Sequence, residues 1–106
     1  MNIHEISVQE LQSFKDSNAD FFLLDVREQD EYDICNLGGH LIPLKELPER
    51  LNELNPNQHI VIHCLSGGRS GRAAAFLLEH GFTHISNLRG GIKAWAREID
   101  PKMPQY

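Results

Sequence analysis

The stretch His59-Ile60-Val61-Ile62-His63-Cys64-Leu65-Ser66-Gly67-Gly68-Arg69-Ser70 decides how this chain folds. Its first half is apolar on both faces and rich in β-branched residues, the pattern of a buried parallel strand. A glycine-rich loop follows. Ser70 then opens a helix in which Ala73, Ala74, Leu77 and Leu78 form an apolar stripe, and Gly81 suits the position just past its end. Cys64 therefore stands at the C-terminal end of a strand, where open α/β sheets bind their ligands. A tight loop there turns successive backbone N–H groups inward, and with the positive end of the helix dipole they form an anion nest. Sulfur held in such a nest is stabilised as thiolate, its nucleophilic form. Gly67 and Gly68 suit a loop that takes positive φ, and Ser66 and Ser70 offer hydroxyl donors. Arg69 offers a planar fork to an anionic substrate.

Working outward, the same alternation of short β runs and helical runs continues in both directions. Ile3 to Ile6 reads as a first strand, and Ser7 caps a helix with Val8, Leu11 and Phe14 on one face and Glu10 at the capping-box spacing. Phe21 to Val26 reads as a second buried strand. Glu28 to Ile34 suggests a short acidic helix, and the Gly38-Gly39 loop leads to a short strand around Leu41-Ile42-Pro43. A helical segment with Leu51 and Leu54 follows, with Pro48 at its start or at a break. Phe82 to Ser86 reads as the last strand, and Gly90-Gly91 leads into a helix carrying Ile92 and Trp95. The tail from Asp100 to Tyr106 is expected to be loosely held. This is the form of an α/β domain with a largely parallel sheet.

The chain has 106 residues, the size of one domain, so residues 1–106 are read as a single unit. Its net charge of -5, with ten Lys and Arg dispersed among fifteen acids, argues against a nucleic-acid partner, which needs a basic face. The N-terminus, Met1 to Glu5, has neither a basic nor an apolar leader region, and the run from Phe21 to Val26 is too short to span a bilayer. A cytoplasmic location without membrane association is the expectation. Two cysteines, Cys35 and Cys64, are too few for a disulfide framework or a four-ligand zinc site, which leaves thiol chemistry for at least one of them.

Four blocks in order give the chain a resemblance to the rhodanese-like domain family over nearly its whole length, from about Ile6 to about Arg97. They are Leu23-Leu24-Asp25-Val26-Arg27 with Glu31-Tyr32, Gly39-His40-Leu41-Ile42-Pro43-Leu44, the Cys64 loop with Arg69-Ser70, and Leu88-Arg89-Gly90-Gly91 with Trp95. The resemblance implies a three-layer α/β domain, with a five-stranded, mostly parallel sheet flanked by helices and a six-residue active loop from Cys64 to Arg69. It implies a sulfurtransferase. Cys64 takes a sulfane sulfur from thiosulfate or a persulfide, holds it as a persulfide, and passes it to a thiol or cyanide. No metal and no organic cofactor is required, and a cysteine desulfurase or a sulfur-carrier protein is the kind of partner implied. Leu65 stands where many single-domain members carry arginine, which leaves the mouth of the site less positive. The run Tyr32-Asp33-Ile34-Cys35-Asn36-Leu37-Gly38-Gly39 is similar instead to the rhodanese-like C-terminal domains of enzymes that activate ubiquitin-like sulfur carriers.

The catalytic assignment falls on Cys64, against the bland alternative of a buried structural thiol. Leu65, Ser66, Gly67, Gly68, Arg69 and Ser70 are assigned to substrate binding. Arg27 joins them because it follows a buried strand to the same sheet edge; a salt bridge with Glu28 or Glu31 is the alternative. Asp25 is read as ordering the loop by accepting hydrogen bonds, with Arg72 as the structural partner of such an acid. His63 neighbours the nucleophile, but strand alternation turns its side chain to the opposite face, so a packed histidine is favoured over a general base. Cys35 reads as an inert, half-buried thiol rather than a resolving one, and Gly90-Gly91 as a tight helix start packed by Trp95 rather than a phosphate cradle.

Two rivals remain. Cysteine-dependent phosphatases and arsenate reductases carry a signature of the form His-Cys-x5-Arg-Ser/Thr, whereas this chain has four residues between Cys64 and Arg69, a ring too tight for tetrahedral phosphate. A non-catalytic rhodanese-like binding module commonly lacks the nucleophile, which is present here.

Overall fold

The apolar runs pair into a five-stranded, wholly parallel sheet in the computed structural model, which describes residues 3–106. Met1 and Asn2, the start of the N-terminal stretch read above for a leader, lie outside the described residues. In chain order the elements are β1 (His4–Ile6), α1 (Val8–Asp16), β2 (Phe22–Asp25), α2 (Gln29–Ile34), β3 (His40–Leu41), β4 (Ile60–His63), α3 (Gly68–Glu79), β5 (Ile85–Leu88) and α4 (Gly91–Glu98). Across the sheet the order is β1-β5-β4-β2-β3, which makes β4 the central strand. That is why the run before Cys64 is apolar on both faces. Ile60 and Ile62 face one cluster with Leu24, Ile42, Ala73 and Leu77 beneath α3, and Val61 faces a second with Ile6, Leu11, Leu88 and Trp95 beneath α1 and α4. Each fully buried Leu or Ile adds about 1.5–3 kcal/mol to this three-layer arrangement.

The capping box of α1 forms as expected: the Ser7 hydroxyl accepts from the Glu10 N–H at 3.1 Å, and the Glu10 carboxylate accepts from the Ser7 N–H at 3.0 Å. Two boundaries that bear on the Cys64 loop differ from expectation. Helix α3 starts at Gly68, two residues before Ser70, because Gly67 at φ +124° turns the chain and its carbonyl accepts from the Gly71 N–H at 2.9 Å. Ser70 is thereby freed from capping and its hydroxyl turns inward. The last strand runs over Ile85–Leu88 instead of Phe82 to Ser86. Phe82 is held back by its N–H to the Leu77 carbonyl, 3.1 Å, in the turn that Gly81 makes at φ +88°, and this brings Asn87 up beside the loop. The helical segment around Pro48 is two 3-10 turns, Leu44–Glu49 and Leu51–Glu53, broken at Arg50. At the opposite end of the sheet, ahead of β4 and β5, the rings of His59 and His84 stack 3.8 Å apart. Among the described residues no helix is long and apolar enough to cross a membrane.

Candidate active site

Cys64 follows β4 directly and is 1% exposed. The Gly67 N–H donates to its sulfur at 3.1 Å, a contact that the positive φ of Gly67 makes possible, and the Ser70 hydroxyl lies 3.4 Å away. Burial pushes the thiol up, but hydrogen bonds from the Ser70 hydroxyl and from the backbone of Ser70, Gly67 and Ser66 outweigh it and hold Cys64 below its ordinary value. The N-terminus of α3 acts in the same direction. The anion nest expected from the sequence is therefore built around the sulfur itself.

The underside of the loop is fixed by α4. The Ile92 N–H donates to the Cys64 carbonyl at 3.0 Å and the Lys93 N–H to the Leu65 carbonyl at 2.9 Å. With those carbonyls tied down, the loop amides are left to face the sulfur. The approach is close enough that a Cβ on Gly91, which sits at φ +61°, would lie 2.6 Å from the Cys64 oxygen. Gly90-Gly91 thus has a more specific cause than a tight helix start: no other residue lets α4 reach the loop.

The rim differs from the sequence reading in three places. Arg69 is held by both prongs on Glu31, at 2.6 and 2.8 Å, rather than standing open to a substrate. The Arg69 guanidinium in turn brings the Glu31 carboxyl down to about 2. Arg27, assigned to substrate binding, is wholly buried. Its guanidinium takes Asp25 in a two-pronged pair, with Nη2 to Oδ2 at 2.8 Å, and donates to the carbonyls of Cys35 and Glu31, so no donor is turned to the mouth. Its partner is neither Glu28 nor the Glu31 carboxylate. Arg72, expected to support a buried acid, is exposed on α3 and has no ion pair among the described residues, since Arg27, two residues past Asp25 at the end of β2, has taken that place.

Asp25 accepts also from the Arg27 N–H at 3.1 Å. His63 is buried with its Nε2 3.5 Å from Asp25, and burial lowers its pKa so that it stays neutral. It shares a face with Asp25, its partner across the sheet, and not with Cys64. Cys35 is 8% exposed and packs in the α1 and α4 cluster, whereas Cys64 packs in the α3 cluster. Leu65 and Gly67 are half-buried, and Ser66 and Gly68 are exposed.

Three residues of the site were not found from sequence. Glu31 was visible as part of the Glu31-Tyr32 block and as a possible partner of Arg27, with no sign of Arg69 as its partner. Asn87 carries no local signal; its role follows from the shifted strand β5. Tyr106 lies at the end of a tail expected to be loose, yet its hydroxyl accepts from Arg27 at 2.9 Å and donates to Glu31 at 2.8 Å. Among the described residues no three His, Cys, Asp or Glu side chains gather to hold a metal ion.

A buried cysteine whose sulfur accepts from a loop amide, at the end of the central strand of a parallel α/β sheet, marks a cysteine-loop domain. The rhodanese-like domain matches residues 7–98, and the chain belongs to that family. Among curated relatives, a sulfurtransferase of Allochromatium vinosum is 37% identical over 101 residues, covering 90% of each chain. YqhL of Bacillus subtilis is 41% identical over 85 residues; the match covers 76% of this chain and 64% of that one. The probable adenylyltransferase/sulfurtransferase MoeZ of Mycobacterium tuberculosis is 38% identical over 104 residues, 95% of this chain but 26% of that one. The chain thus spans less than two thirds of the length of several relatives. Among solved structures, the rhodanese-related protein of Thermoplasma volcanium superposes with a TM-score of 0.80 at 29% identity, covering 91% of this chain and 93% of that one.

Proposed function

We propose that this protein is a sulfurtransferase that moves a sulfane sulfur from a donor to a nucleophilic acceptor through a persulfide on Cys64. The observation that carries the reading is the hydrogen bond from the Gly67 N–H to the Cys64 sulfur, in a loop whose amides hold the thiol below its ordinary value. In the first half-reaction the Cys64 thiolate attacks the outer sulfur of the donor, a new S–S bond forms, and the donor's own bond to that sulfur breaks with its electron pair. Sulfite leaves if the donor is thiosulfate, and a thiolate leaves if it is a persulfide. In the second, an acceptor such as cyanide attacks the outer sulfur and Cys64 leaves as thiolate. Amides aimed at the sulfur stabilise its negative charge in both halves.

The rim favours a persulfide over thiosulfate as donor. Arg69 has both prongs on Glu31, and Leu65 adds no charge, so neither offers the open cation that a small dianion seeks. A persulfide on a cysteine desulfurase or on a sulfur-carrier protein suits it better. Two unpaired, buried cysteines agree with a reducing, cytoplasmic setting. The phosphatase reading is disfavoured because the short loop closes its amides on one atom and Arg69, which a phosphatase needs open, is paired. The test is thiocyanate formation from cyanide with thiosulfate and with a persulfide donor. Cys64→Ser should abolish it and Cys35→Ser should retain most of it; equal loss in both variants, or aryl phosphate hydrolysis exceeding sulfur transfer, contradicts the reading.

A further inference from the structure

Ser70 stands behind the nucleophile with one hydroxyl proton and three acceptors around it. They are the Gly67 carbonyl at 3.2 Å, Asn87 Oδ1 at 2.6 Å and the Cys64 sulfur at 3.4 Å. A hydroxyl donates once and accepts through its lone pairs, so only one of these takes the proton. Which one is settled on the far side of Asn87. That side chain is buried at the end of β5, and its Nδ2 faces a Glu5 carboxylate oxygen of β1 at 3.5 Å. A carboxylate accepts and does not donate, so Glu5 keeps the NH2 edge of Asn87 towards itself and the oxygen edge on Ser70. The short contact to Asn87 then holds the Ser70 proton, and Ser70 meets Cys64 with a lone pair. In that arrangement it accepts from the thiol, and its hydrogen bond to the thiolate becomes available only once the hydroxyl turns.

We propose that Asn87 is a positioning residue for the nucleophile: it competes with the Cys64 thiolate for the Ser70 proton, and Glu5 fixes the direction of the Asn87 amide. When Cys64 loses its proton to solvent, the Ser70 hydroxyl turns from Asn87 to the sulfur, and the ionisation forfeits a 2.6 Å hydrogen bond to gain a longer one. Hydrogen bonds to charged groups exceed neutral ones, so the exchange is closely balanced and the amide sets its midpoint. The other groups that bear on the sulfur are the amides of Ser66, Gly67 and Ser70 and the charge of Arg69, already paired with Glu31. From β4, His63 is neutral and turned to the opposite face; from α4, the Ile92 and Lys93 amides point to loop carbonyls; from the end of β5, Arg89 lies on Glu5 at 3.4 Å.

The inference rests on Cys64 as the nucleophile, but its test reads ionisation alone and so can fail separately from sulfur transfer. The measurement is the rate of Cys64 alkylation by iodoacetamide against pH in a Cys35→Ser background. Asn87→Leu keeps the volume and removes the competitor, so the pH of half-maximal rate should fall by about one pH unit, about tenfold more thiolate well below the midpoint. In a Ser70→Ala background the same substitution should move nothing. Glu5→Gln lies on an exposed side chain and leaves folding intact; it frees the Asn87 amide to flip and should lower the midpoint in high salt, where the lost charge is screened. An unchanged or raised midpoint in Asn87→Leu, or a shift that persists without the Ser70 hydroxyl, overturns the proposal. Should Asn87→Leu not fold, an unmoved midpoint in Glu5→Gln overturns it equally.

Discussion

Arg69, the last residue of the active loop, and Glu31, on α2, meet in a two-pronged ion pair of 2.6 and 2.8 Å. The pair ties the loop to the helix that follows β2, and Tyr106 closes over it by donating to the same carboxylate. Loop and rim are thereby one rigid piece, which is what a nest of amides needs if it is to stay aimed at a sulfur.

The pair should be visible in acid. Glu31 titrates at about 2 in the folded protein against an ordinary value of 4.5, so its contribution to stability is complete above the ordinary value and is lost as pH falls towards the folded one. Glu31→Gln lacks that contribution. The urea midpoint of the wild type should exceed that of the variant at about pH 7, with the gap closing by about pH 2. A gap of equal size at both ends would mean that the pair does not carry the effect.

Arg27 should prove structural. Removing one partner of a buried pair leaves the other uncompensated and costs about 3–5 kcal/mol, a large part of the ~5–15 kcal/mol that holds a domain of this size. Arg27→Met should therefore lower the denaturation midpoint sharply by strengthening no contact and stranding Asp25. In the fraction that stays folded the KM for the sulfur donor should match the wild type. A raised KM with intact stability would restore Arg27 to the substrate site.

Two glycines separate backbone strain from loop geometry. Gly81 and Gly91 both sit at positive φ, +88° and +61°, but a Cβ meets nothing within 4 Å at Gly81 and meets the Cys64 and Leu65 carbonyls at Gly91. Gly81→Ala should cost about 1–2 kcal/mol of stability and leave turnover alone. Gly91→Ala should lose most of the sulfur transfer as well, because α4 must withdraw and release the loop. Similar kinetics in the two variants would show that the carbonyl ties do not aim the amides.

What was legible in the sequence, and what was not, follows from the range of the interactions. The central strand, the α1 cap and the Cys64 loop are written in contiguous periodicity and spacing and appear where expected; the helix after the loop appears too, with its start two residues earlier. The partners of the charged residues are not. Arg27 and Asp25 lie two residues apart, but whether Arg27 turns inward depends on the carbonyls of Glu31 and Cys35, which only the fold brings near. Arg72 sits on a strongly patterned helix, yet its face is decided by Ala73, Ala74 and Leu77 claiming the core. The shift of β5 from Phe82 to Ile85 was hidden because Phe82 is apolar in either role; it closes the end of α3 instead of joining the sheet.

The stacked histidines give the fold a pH dependence of opposite origin to that of Glu31. Burial, then the nearby His84 and His4, lower the His59 pKa, so the unfolded chain takes up the proton more readily. Stability contributed by neutral His59 is complete above the ordinary value of 6.5 and declines as pH falls below it. His84→Gln removes one repulsive neighbour and should flatten the thermal stability profile between about pH 7.5 and about pH 5. A slope unchanged from that of the wild type would place the titration elsewhere.

The central claim is that Cys64 carries the transferable sulfur, and intact-mass spectrometry tests it most directly. The protein is incubated with thiosulfate, or with a cysteine desulfurase and cysteine, freed of donor and weighed. The account predicts a gain of one sulfur atom, larger in yield from the desulfurase, retained in Cys35→Ser, absent in Cys64→Ser and discharged by cyanide. No gain from either donor, or a gain that survives Cys64→Ser, would contradict it.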